Sequence, residues 1–233
     1  MTGPGAGVGA AGVPQPVLVR GTGLLGTSIG LGLRAAGAEV LLTDPSPTAQ
    51  AVAEDIGAGR AVDPEDPSLA PGLVVVAAPP DVTADVVVDS LRRWPVALVL
   101  DIASIKGRIL TQVRDAAARG VIEDDDVARY LPTHPMAGSE RSGPVAARGT
   151  LFTASPWVLC PSPETRPEAL AAGEDVARAL QATVHRMDVA AHDASVALIS
   201  HLPQIAASLV ARSEERFSRN AETDLESRMP SSA

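Results

Sequence analysis

Short aliphatic runs alternate along this chain with amphipathic stretches, the pattern of a parallel sheet packed between helices. Val17-Leu18-Val19 predicts a first strand, followed by a glycine-rich turn and a helix to about Ala36. Val40-Leu41-Leu42 predicts a second strand, with a helix from about Pro47 to Ile56. Leu73 to Ala77 is almost continuously aliphatic, as a strand covered on both faces should be, and Ala97 to Leu100 repeats that character. A helix from about Lys106 to Arg119, a strand at Tyr130-Leu131 and a loop carrying His134 follow. Trp157 to Cys160 and Val184 to Met187 predict two more strands, with a helix from Glu168 to Gln181 between them. The fold class is therefore α/β, a Rossmann-like, doubly wound and mostly parallel sheet over residues 15–187.

From about Asp188 the pattern changes. Val196, Ile199, Leu202, Ile205, Leu209 and Val210 recur at helical spacing, with Pro203 placed to kink the helix. Residues 188–233 thus read as the start of an all-helical second domain. Residues 1–14, rich in Gly, Ala and Pro, read as a disordered tail.

Composition narrows the class. The chain has 233 residues, 45% of them hydrophobic and 20% charged, which describes a globular protein. Its net charge is -9 and its basic residues are scattered, against a nucleic-acid surface. One cysteine, Cys160, excludes an internal disulfide framework and fits a cytoplasmic setting. No apolar run reaches the roughly 20 residues that span a bilayer, so no membrane is expected as a partner. No metal site is expected either.

Gly21-Thr22-Gly23-Leu24-Leu25-Gly26 is a GxGxxG that leaves a strand and opens a helix. Its first glycine allows the tight turn, its second a close approach of pyrophosphate, its third close packing of helix on strand. A glycine turn alone is common. Asp44 adds weight, because it ends the second strand at about the 20-residue distance of the carboxylate that binds an adenosine ribose. Taken alone, Asp44 reads first as a helix N-cap or turn residue before Pro45. Together the two features point to a dinucleotide, and the absence of an arginine beside Asp44 favours NAD over NADP.

The loops after the next strands face the same crevice in a doubly wound sheet. They carry Ala78 and Pro79, then Ser104 and Lys106. Ser104 is also a natural helix N-cap. Lys106 is the only lysine among the basic residues and is expected at the substrate. His134 follows the next strand within Thr133-His134-Pro135-Met136-Ala137-Gly138-Ser139-Glu140-Arg141-Ser142-Gly143. A histidine there can take a proton near neutral pH, with Ser139 and Glu140 beside it as polar contacts. His201 and Gln204, three apart, share a helix face further on. His185, in a strand beside Arg186, reads as structural.

Gly21 to Gly30, Asp101 to Gly107, Thr133 to Gly143 and Ser200 to Gln204 together resemble the prephenate/arogenate dehydrogenases of tyrosine biosynthesis. The resemblance runs from about Val17 to Arg212, and His-Pro-Met-Ala-Gly-Ser-Glu is its most specific part. It implies NAD-dependent oxidative decarboxylation of prephenate to 4-hydroxyphenylpyruvate, or of arogenate to tyrosine, by a Rossmann-like domain joined to a helical dimerisation domain. It implies that His134 takes the proton of the substrate ring hydroxyl and that Ser104 helps hold it. Glu140 would line the substrate entrance, and His201 and Gln204 the substrate pocket.

Members of that family continue through further helices, which bear a substrate-gripping arginine and most of the homodimer interface. Here the chain ends soon after Arg212, and Phe217 to Ala233 does not match that continuation. The expectation is a truncated C-terminal domain, with cofactor binding kept and substrate affinity and dimerisation impaired. Two other readings compete. A β-hydroxyacid dehydrogenase would need a later helical lysine, and none follows Lys106. An NAD-binding remnant with little activity is the other.

Overall fold

The computed structural model describes residues 12–138 and 140–198. The helical positions expected from Ile199 onward, including Pro203, His201 and Gln204, lie outside the described residues, as does Ser139. The chain divides into two compact units, Met1–Ala190 and Ala191–Ala233.

The first unit is an eight-stranded sheet. In chain order its strands are β1 (Val17–Arg20), β2 (Val40–Thr43), β3 (Arg60–Ala61), β4 (Leu73–Val76), β5 (Leu98–Asp101), β6 (Tyr130–Pro135), β7 (Pro156–Leu159) and β8 (Thr183–Arg186). They lie side by side as β3-β2-β1-β4-β5-β6-β7-β8. Pairing is parallel from β3 through β6, antiparallel between β6 and β7, and parallel between β7 and β8. The order reverses between β1 and β4, and such a switch point opens a crevice beyond the strand carboxyl ends.

The aliphatic runs form buried strands because both sheet faces are covered. Alternate side chains enter opposite cores: Val17 and Val19 join one cluster, Leu18 the other. The first cluster packs beneath α1 (Leu24–Ala35) and, later in the chain, α6 (Pro167–Ala179). The second packs beneath α3 (Thr83–Arg93), α4 (Gly107–Ala118) and the single turn α5 (Asp124–Val127). The helix α2 (Pro47–Asp55) connects β2 to β3, capped by Ser46, whose hydroxyl accepts the Ala49 N–H. The last described helix, α7 (Val189–Val196), begins where the helical pattern of the sequence starts.

Four features depart from the sequence expectations. Val13 is fully buried in the first cluster, so core packing begins inside the stretch read as a tail. β3 and α3 were not foreseen. The first has two residues, and in the second three successive β-branched valines, Val86 to Val88, argue for a strand, although Ala84, Val87 and Leu91 are buried at helical spacing. β6 runs on to Pro135, which places His134 in a strand and not on a loop. Thr133, His134 and Pro135 pair with Leu159, Val158 and Trp157 of β7, which supplies the second edge that Tyr130-Leu131 alone would lack.

Candidate functional site

The carboxyl ends of β1, β2, β4, β5 and β6 open into one cavity of about 1020 Å³. Ligand pockets of drug-sized molecules run to about 1,000 Å³, so the space suits a dinucleotide with a small substrate. Each of these strands delivers a separate part of the wall. The glycine turn comes from β1, Asp44 from β2, Ala78 and Pro79 from β4, Ser104 from β5 and His134 from β6 itself.

The glycine turn is shaped by close contacts on one side and open space on the other. A Cβ on Gly26 would lie 1.9 Å from the Gly21 carbonyl oxygen, so the start of α1 can sit on β1 only without one. A Cβ on Gly23 would meet nothing within 4 Å, so that stretch of backbone is open to a ligand. No side chain caps α1 and no acid stands in its first turn, which leaves the positive end of the helix for an anion. The Thr22 hydroxyl is buried without a hydrogen-bond partner among the described residues. These features together fit a dinucleotide.

Asp44 closes the turn from the side. Its two carboxylate oxygens accept the Thr22 N–H at 2.6 Å and the Ser46 N–H at 2.7 Å. Gln50 on α2 accepts the Asp44 N–H at 3.0 Å and donates to the Val62 carbonyl at 3.2 Å. Gln50 lines the cavity, and sequence reasoning missed it. Arg20 lines the cavity too, yet its guanidinium is committed to Asp89 at 2.7 Å and Ser90 at 2.8 Å, over the Trp94 ring. Arg141 and Ser142 complete the wall beyond His134, inside a segment that the sequence had marked as a whole.

Beneath Ser104 and His134 lies a buried polar cluster. Asp101, Lys106 and Thr133 are each fully buried, and Tyr130 nearly so. One Asp101 oxygen accepts the Lys106 ammonium and the Ala103 N–H, the latter at 2.8 Å. The other accepts the Tyr130 hydroxyl at 2.7 Å. Lys106 donates a further bond to the Thr133 carbonyl at 2.8 Å, and the Thr133 hydroxyl donates to the Asp101 carbonyl at 2.6 Å. Burial pushes the Tyr130 phenol well above its ordinary range and the adjacent Asp101 charge pushes it further, so the phenol stays a donor.

Most of the sequence-marked residues therefore meet at one cavity: Gly21, Gly23, Leu24, Leu25, Gly26, Asp44, Ala78, Pro79, Ser104 and His134. Three do not line it. Thr22 turns its side chain into the protein, and Glu140 is exposed beyond the wall. Lys106, expected at the substrate, is instead buried in the floor because Asp101 and the Thr133 carbonyl draw its ammonium inward. Ser139, His201 and Gln204 lie outside the described residues. Among the described residues, no group of three or more His, Cys, Asp or Glu could hold a metal ion. No described helix is long and apolar enough to cross a membrane.

Residues 29–186 match the family described as prephenate dehydrogenase, nucleotide-binding domain. A Streptomyces niveus protein named probable prephenate dehydrogenase NovF is 39% identical over 84% of this chain and 52% of its own length. The arogenate dehydrogenase of Synechocystis has a similar structure, with TM-score 0.72 and 27% identity, covering 84% of this chain and 68% of that one. A prephenate dehydrogenase from A. aeolicus, solved with hydroxyphenyl propionate and NAD+, superposes with TM-score 0.76. At 23% identity over 84% of this chain and 68% of that one, it shows the shared fold. The chain spans about half the length of the curated relatives it matches.

Proposed function

Since the chain belongs to the prephenate dehydrogenase family through its nucleotide-binding domain, we propose that it serves NAD-dependent oxidative decarboxylation of prephenate, or of its amino counterpart arogenate, in tyrosine biosynthesis. The observation that carries this reading is a single one. The glycine turn, Asp44, Ser104 and His134 all border one cavity at the carboxyl ends of parallel strands.

The residues divide the work by position. The open backbone at Gly23 and the uncapped start of α1 hold the pyrophosphate, and Asp44 holds the adenosine ribose. The absence of an arginine beside Asp44 supports NAD in preference to NADP. When bound, NAD supplies an acceptor for hydride. His134 accepts the proton of the substrate ring hydroxyl through an imidazole nitrogen, and Ser104 orients that hydroxyl. The substrate thereby gives up its carbinol hydrogen as hydride and its hydroxyl proton to His134. The bond to the ring carboxylate then breaks, carbon dioxide leaves, and its electron pair completes the aromatic ring as a phenolate, which takes its proton back from His134. Ser139, Glu140, His201 and Gln204 are assigned to the substrate side. Lys106 is assigned there through the residues it positions and not by contact.

The same reading carries the homodimer implied by the resemblance and a cytoplasmic setting, the latter supported by the lone buried Cys160. The test is direct. Isothermal titration with NAD and NADP, followed by NADH formation with prephenate and with arogenate, should show NAD preferred and one substrate oxidised with release of carbon dioxide. Tight NAD binding with neither substrate oxidised would remove the catalytic part of the proposal.

A further inference from the structure

The buried cluster around Asp101 is more polar than a stable core requires. An ion pair taken wholly out of water is often no more stabilising than apolar residues of the same volume. Here the pair is the chain's only lysine, fully buried, against a fully buried aspartate. Its connections run to two specific places. Through the Ala103 N–H it grips the residue before Ser104, and through the Thr133 carbonyl it grips the residue before His134. The Thr133 hydroxyl, bonded to the Asp101 carbonyl, links the ends of β5 and β6 a second time. The Tyr130 hydroxyl fixes the remaining Asp101 oxygen from the base of β6.

We propose that Asp101, Lys106, Tyr130 and Thr133 form a positioning network that sets Ser104 and His134 relative to each other across the cavity. The inference rests on the proposed roles of Ser104 and His134, and none of the four residues touches the reacting atoms. Ser104 and His134 come from different strands, so no local turn geometry sets their separation. A charged cluster with directional bonds sets it more narrowly than apolar packing would, because its bonds are short and tie both strand ends to one carboxylate. Misplacement of a reacting group by about 1 Å can cost roughly 100-fold in rate. Retaining a buried ion pair under these two residues is consistent with that demand.

The test uses Tyr130→Phe and Thr133→Val, each keeping shape while removing one hydroxyl bond, and the paired variant Lys106→Met with Asp101→Asn, which removes the ion pair from both sides. Because the paired variant can fail to fold, the single variants keep the inference testable. The first readout is the ring-proton resonances of His134 at fixed pH, assigned among the chain's four histidines by His134→Asn. The second is the split between kcat and KM for NAD. The expected result is folded variants with NAD affinity within about twofold of the parent, shifted His134 resonances, and kcat lowered roughly 10- to 100-fold. Folded variants whose His134 resonances coincide with the parent's would overturn the network. A parent chain that oxidises neither substrate would remove the catalytic reading instead, and the resonances would still decide the positioning claim.

Discussion

The Asp44 carboxylate accepts the Thr22 N–H at 2.6 Å, so the acid at the end of β2 reaches back across 22 residues of sequence into the glycine turn. Its other oxygen holds the Ser46 N–H. One side chain thus both shapes the turn and faces the cavity. Asp44→Asn leaves a single acceptor oxygen for two N–H donors and removes the charge from the ribose side. The expected outcome is a loss of about 1–3 kcal/mol in stability, together with NAD binding weakened roughly tenfold. Chemical denaturation and NAD titration on the same variant measure both losses. NAD affinity unchanged in a destabilised variant would confine Asp44 to shaping the turn.

Two glycines of the same turn should respond in opposite ways. A methyl at Gly26 would sit 1.9 Å from the Gly21 carbonyl oxygen and 2.9 Å from the Ala77 Cβ. Neither neighbour is the tip of a flexible side chain, so α1 must lift off the sheet. Gly26→Ala is expected to cost about 1–3 kcal/mol or more, seen as a lower denaturation midpoint. Gly23→Ala meets no protein atom within 4 Å. It should keep the parent's stability and lose NAD affinity at least tenfold, because the methyl occupies space a pyrophosphate needs. Equal stability losses in the two variants would contradict this division of the turn.

The same distinction explains what could be seen in the sequence. β1, β2, β4 and β5 were legible because burial on both faces demands continuous aliphatic runs, and the glycine turn because backbone geometry demands glycine. α3 was not, since the successive β-branched Val86, Val87 and Val88 argue for a strand and mask the helical spacing of Ala84, Val87 and Leu91. β6 looks short in sequence because Pro132 and Pro135 argue against a strand, and its extension depends on β7, which lies more than twenty residues later. Lys106 suggests a ligand contact because it is a lone lysine beside a candidate serine. Its true partners are Asp101, at the end of the preceding strand, and the Thr133 carbonyl, which reaches it only through strand order. Residues that bind by backbone shape were visible, whereas those that work through partners on another strand were not.

His134 lines the cavity from within a strand held on both sides, by β5 through its neighbours and by β7 through Val158. Replacing its ring should therefore disturb chemistry and little else. His134→Asn is expected to lower turnover roughly 100- to 10,000-fold while NAD affinity and the denaturation midpoint stay near those of the parent. Turnover retained within tenfold would assign the proton to another group.

Tyr130 is the chain's only tyrosine, nearly fully buried with its hydroxyl on Asp101, which makes its ionisation a clean reporter. Burial holds the folded-state phenol well above its ordinary value of 10.0, and the Asp101 charge adds to this. Below pH 10 the folded and unfolded chains both keep the proton, and the full stabilisation is present. Above it, only the unfolded chain releases the proton, so stability falls as pH rises towards the folded-state value. The parent should thus lose about 1.4 kcal/mol per pH unit more than Tyr130→Phe over that range. At neutral pH the parent is the more stable, because Tyr130→Phe forfeits a bond to a charged acceptor worth about 1.5–3 kcal/mol. The two stability curves should therefore converge as the solution becomes alkaline. Phenolate absorbance in the parent should appear together with unfolding and not before it. A phenolate that forms reversibly near pH 10 in the folded chain would show that Tyr130 is open to solvent and that Asp101 does not hold it.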